Sequence, residues 1–137
     1  MADSKISALP AATVPLALTE VLPFVQSSTT RQVSVSQILT GVIVTEATTA
    51  RTLAATDNGK IIYCTSASAT TITCAAGLGA GFNVTIIQGA AGKVTVAAGG
   101  QTLVSYSSLF STMGQYAVIS LIAPVANTFI AAGNLGV

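Results

Sequence analysis

The sequence predicts an all-β fold: an antiparallel β-sandwich or flattened, jelly-roll-like barrel over residues 48–137, preceded by an extended arm with a small hairpin and linker over residues 1–47. Three observations carry this reading. From residue 61 onward, runs rich in Ile, Val, Thr and Tyr alternate with clusters of Gly, Ala, Ser and Asn, the pattern of short strands and tight turns. About seven such runs follow one another with no length for crossover helices, which calls for antiparallel sheets packed face to face. Pro10 and Pro15, by contrast, sit in an Ala-rich stretch and forbid both a continuous helix and a central strand there.

Taken in order, residues 1–5 are polar and expected to be loose. Residues 6–18 read as an extended arm, which has little of its own to bury and becomes ordered only on a surface supplied by something else. Residues 21–25 form a short edge-like strand, residues 27–30 a polar tip, and residues 31–35 the return strand of a small hairpin. Ser36 caps a brief helical turn through residues 37–39, which ends at Gly41. A unit this small cannot build an independent core. It must dock on the β-domain, a sister subunit or a different protein. Residues 42–45 can add one strand within the linker, and the domain boundary falls near residue 48.

The β-domain opens on Asp57-Asn58-Gly59, residues that tolerate the positive φ of a tight turn. Residues 61–65 follow, answered by residues 70–74 across a turn at 66–69. In residues 82–88, Phe82, Val84 and Ile86 take one face and Asn83, Thr85 and Ile87 the other. Residues 93–97 return after 89–92, most simply as a hairpin. Runs at 101–106, 115–122 and 128–132 complete the set. In residues 115–122, Ala117, Ile119 and Leu121 point one way while Tyr116, Val118 and Ile122 point the other, so both faces want burial.

Composition bears on the same point. Only 7% of residues are charged, 51% are hydrophobic and the net charge is +1, against about 25% charged residues in ordinary soluble domains. A surface so poor in charge belongs in an assembly, or self-associates. The longest apolar run, residues 116–126, is interrupted by Ser120 and Pro124 and falls short of the roughly 20 residues of a bilayer span. Asp3 before Lys5, with no apolar core behind them, does not resemble a secretory signal, so the expectation is a chain that stays in the cytoplasm where it is made. Cys64 and Cys74 sit symmetrically about residue 69, where a cross-strand disulfide is conceivable. The redox compartment favours two free, buried thiols.

The inventory for catalysis is thin. There is no histidine, which removes the Ser-His-Asp, Cys-His and imidazole-metal arrangements. Asp3, Glu20 and Glu46 lie in the tail, arm and linker, so a paired-carboxylate site needs an improbable convergence, and Asp57 has the turn role of hydrogen-bonding its own backbone. Cys64 and Cys74 lack the further ligands of a tetrahedral metal site. Gly77, Gly79 and Gly81 have neither the following helix nor the Lys-Ser/Thr of a phosphate loop. Lys5, Arg31, Arg51, Lys60 and Lys93 are scattered, with few aromatics between them, so no nucleic-acid surface is expected. No catalytic residue, metal or cofactor is expected. Saccharide binding is harder to set aside, and residues 105–108, with Tyr106 among serines, make the best loop for it.

The residues also carry a family likeness. Residues 5–12 (Lys-Ile-Ser-Ala-Leu-Pro-Ala-Ala), 20–26 (Glu-Val-Leu-Pro-Phe-Val-Gln) and 30–38 together resemble the attachment segment at the start of many tailed-bacteriophage virion proteins. Residues 52–62, 69–73, 81–88, 92–96 and 114–121 are similar to the β-domain of phage fibre and head-decoration proteins. The resemblance implies a homotrimer packed about a threefold axis, anchored through the arm to the major capsid protein or another virion component on the outer capsid surface. Ile6, Leu9, Pro10, Leu22, Phe24, Val33 and Ile38 are the expected docking residues. Receptor-binding fibres continue into a shaft or tip, whereas this sequence ends after its last strand, so a small capsid decoration, cement or head-fibre protein is the first expectation. A short tail fibre recognising a host surface glycan is the second, and a polysaccharide depolymerase the least favoured.

Overall fold

The computed structural model of the protein describes Val21–Gln26, Thr29–Ser34 and residues 42–137. The chain divides into two compact units, Met1–Thr40 and Gly41–Val137. In the first, β1 (Val21–Gln26) and β2 (Thr29–Ser34) form an antiparallel hairpin. Leu22 stands opposite Val33 and Phe24 opposite Arg31. The expected arm at 6–18 and the helical turn at 37–39 lie outside the described residues.

The second unit is all-β, with a single 3-10 turn at Ala55–Asp57. Its strands are β3 (Ile43–Glu46), β4 (Ala50–Thr52), β5 (Ile61–Cys64), β6 (Thr70–Thr73), β7 (Asn83–Gln88), β8 (Val94–Ala97), β9 (Thr102–Ser105), β10 (Ser111–Thr112), β11 (Val118–Val125), β12 (Thr128–Gly133) and β13 (Leu135–Gly136). They form a six-stranded sheet, β3-β5-β7-β11-β12-β9, and a five-stranded sheet, β13-β10-β8-β6-β4.

The pairing corrects the expected antiparallel sandwich. β3, β5 and β7 run parallel in one sheet, and β4, β6 and β8 run parallel in the other. From β3 to β8 the chain crosses from sheet to sheet at every connection, so three successive coils stack as in a β-solenoid. No helix is needed, because the strand in the opposite sheet is itself the crossover. The hairpins expected at 61–74 and 82–97 are therefore corners between sheets. β9 then takes the far edge of the six-stranded sheet, parallel to β12, and β10, β11 and β12 fill in with antiparallel neighbours. The result is two mixed sheets, not two antiparallel ones. Ile43–Glu46, where the sequence allowed one strand within the linker, forms the edge strand of the six-stranded sheet.

Two glycines explain how the corners stack. The N–H of Gly92, between β7 and β8, donates to the Ser66 carbonyl 3.2 Å away in the corner one coil earlier. A Cβ on Gly92 would overlap the Ser68 carbonyl oxygen, and one on Gly99, itself at φ +57°, would overlap that of Cys74.

The core lies between the sheets. Ile62, Ile86 and Ile119 stand side by side across β5, β7 and β11 with no exposure, and Ile72 and Val96 face them from β6 and β8. Phe82 meets Phe129 edge to face, with ring centroids 6.4 Å apart. The expected inward faces, Phe82-Val84-Ile86 and Ala117-Ile119-Leu121, are all buried. A buried polar bridge joins the sheets: the Thr112 hydroxyl donates to Gln88 Oε1 and accepts from the Val94 N–H at 2.9 Å. Gln88 Nε2 donates to the Ala90 carbonyl at 3.0 Å, so a side chain with 2% exposure has both ends met.

Candidate functional site

Charged groups converge at the first coil. Arg51 on β4 donates from one terminal nitrogen to Glu46 Oε2 at 3.0 Å and from the other to Asp57 Oδ1 at 2.7 Å. Lys60 Nζ stands 3.9 Å from the same Asp57 oxygen. Glu46 Oε1 accepts from the Thr48 N–H at 2.8 Å and its hydroxyl at 2.5 Å, and Asp57 Oδ2 accepts from the Ala54 N–H at 3.0 Å.

Position in the coil explains the cluster. The ion pair is confined to the first coil, where β3 and β4 are the edge strands of their sheets. The inward position of Glu46 holds Cys64 and then Gln88 in later coils, and that of Arg51 holds Ile72 and then Val96.

The sequence gives no reason to bring Glu46 and Asp57 together, yet both meet on Arg51. Hydrogen bonds from Thr48 and the Arg51 guanidinium hold the Glu46 carboxyl below its ordinary range, against the opposing effect of burial. Burial alone would lower the pKa of Arg51, but its bonds to Glu46 and Asp57 carry it upward. The Glu46 carboxylate is thus ionised and engaged at neutral pH, and with Asp57 bonded to the same guanidinium the arrangement clips β3, β4 and the 3-10 turn together. Asp57 also keeps its turn role through the Ala54 N–H.

Cys64 and Cys74 are free and buried. Burial pushes each thiol up to about 11, with the Glu46 charge adding to the effect at Cys64, so neither is a thiolate nucleophile at neutral pH. Among the described residues no cluster of His, Cys, Asp and Glu is arranged to hold a metal ion, and no helix is long and apolar enough to cross a membrane.

Tyr106 lies at the rim of a cleft. Its side chain is fully exposed on the loop after β9, beside a half-open cavity of about 270 Å³ lined also by Ser107, Leu109, Ile130, Ala132 and Leu135. Ser108 holds φ +56°, which turns the loop sharply. The sequence pointed to this loop but not to its partners, which come from β12 and β13 about 25 residues further on.

Of the expected docking residues, Leu22 and Phe24 lie on β1 and Val33 on β2. Ile6, Leu9, Pro10 and Ile38 lie outside the described residues.

No family model matches the chain, and no curated protein matches it.

Proposed function

We propose that the protein is a structural virion protein, a homotrimeric capsid decoration protein of the cement or head-fibre kind, docked on a phage capsid through its N-terminal segment. The observation that carries this reading is the division of the chain at residue 40 into a hairpin-bearing unit and an all-β unit with its own core. That modularity suits an anchor joined to an outward-facing domain. Three anchors per trimer add their modest contacts through avidity. The second unit supports a structural role in a further respect, since its charged residues at the first coil are spent on one another.

Removal of residues 1–40 tests the assignment. Co-sedimentation with capsids of the phage that encodes the protein is expected to fall to background, while the shortened chain keeps its β-type circular dichroism and its trimeric mass. Undiminished capsid binding would place the anchor in the β-domain and contradict the proposal.

One observation favours a second reading, a short fibre that binds a host glycan. The exposed Tyr106 ring beside a cleft edged by Ser107 offers a stacking face and a hydroxyl, the two elements of sugar-ring recognition. Glycan-array signal from the protein, lost in Tyr106→Ala, is the result that would favour it.

A further inference from the structure

The two sheets differ in what they turn outward. The outer face of the five-stranded sheet carries hydroxyls, including Thr71, Thr73, Thr95 and Ser111, the last two hydrogen-bonded to each other at 2.9 Å. The outer face of the six-stranded sheet mixes polar side chains, among them Thr45, Asn83, Thr85, Ser120, Thr102 and Thr128, with large apolar ones. Ile122, Ile130 and Val104 stand in register across β11, β12 and β9, with exposures of 46%, 41% and 43%. At the other edge Ile43, 64% exposed, stands beside Ile61. Thr85 and Ser120 continue the Ile43–Ile61 row and Asn83 stands beside Ile122, while Ile87 lies further along β7 between Tyr63 and Val118. The outward positions of all six strands hold no charged residue.

Large apolar side chains standing together on an exposed face, as Ile122, Ile130 and Val104 do, mark it as a place of contact. Six strands at about 4.8 Å spacing and strands about 20 Å long give a face of roughly 24 by 20 Å, near the upper end of exposed patches on monomers. Two such faces in contact bury about 1,000 Å², the size at which a specific interface becomes stable. Three of them set as a triangle would each lie about 7 Å from a threefold axis, comparable with half of the roughly 10 Å spacing of packed sheets. With a net charge of +1 per chain, copies approach without appreciable repulsion.

We infer that the outer face of the six-stranded sheet is where copies of this chain meet, each subunit turning Ile43, Ile87, Val104, Ile122 and Ile130 toward the threefold axis and its hydroxyl face to solvent. The inference rests on the homotrimer reading and adds to it the surface responsible. A charge at Ile130 tests it, because a residue so exposed in the single chain can become Lys without disturbing the fold. By light scattering during size exclusion, Ile130→Lys is expected to fall from three chain masses to one with unchanged circular dichroism. Thr71→Lys, on the hydroxyl face, is expected to stay at three.

A folded Ile130→Lys that remains trimeric would overturn the inference and leave the homotrimer reading standing. Unaltered protein that is monomeric at every concentration would overturn both. Should Ile130→Lys not fold, spin labels on Ser120→Cys and Thr71→Cys decide. Strong dipolar coupling at position 120 and none at position 71 is expected, and the reverse would overturn the inference.

Discussion

Arg51→Ala is expected to destabilise the β-domain by about 3 kcal/mol, the lower end of the cost of removing one partner from a buried ion pair. The lower end applies because the Arg51 side chain keeps 22% of its exposure. Its loss leaves Glu46 and Asp57, with side-chain exposures of 9% and 3%, facing each other with only Lys60 nearby. Urea denaturation at pH 7 measures the effect as a lower midpoint with unchanged slope. The pH dependence follows from the sign of the Glu46 shift. Its pKa is lowered on folding, so the stabilisation is present above the ordinary value of 4.5 and is lost as pH falls below it toward the folded value. The unaltered protein should lose stability over that range, and Arg51→Ala should lose less. Equal pH dependence in both would show that the cluster does not clip the first coil.

Phe129→Ala is expected to cost more, about 4 kcal/mol, within the range for emptying a large aromatic site in a packed core. Phe129 has no exposure and packs edge to face on Phe82, which follows the Gly-rich loop carrying the buried Leu78. The cavity would open between β12 and that loop, where the backbone is already held by the Gly77 N–H on the Asn127 side chain at 2.9 Å. Thermal unfolding by circular dichroism reads the change. A loss under about 1 kcal/mol would mean that the loop collapses onto the gap and that the aromatic pair is not central to the core.

Which residues face inward was legible in the sequence, because strand alternation has a period of two that survives any choice of neighbour. Phe82, Val84 and Ile86, and likewise Ala117, Ile119 and Leu121, are buried as that period dictates. Partner choice was not legible. A short connection such as residues 65–69 can fold back as a hairpin or turn a corner into a second sheet, and local composition is the same in both cases. The distinguishing signal lay at Gly92 and Gly99, which are needed where one corner packs on the corner below it. The ion cluster was missed because it depends on register: Glu46 and Arg51, five residues apart, meet only because β3 and β4 lie in different sheets at the same end of the stack. The two-sided strand read at residues 115–122 holds for Val118 and Ile122, which point outward, but Tyr116, expected on the same face, falls at φ +67° in the turn before β11.

The central claim, that this is a structural homotrimer, is tested most directly by the mass of the purified full-length protein in light scattering during size exclusion, over a range of concentrations. A stable species of three times the 13.6 kDa chain mass is predicted. A monomer throughout that range, with the outer face of the six-stranded sheet in water, would contradict it.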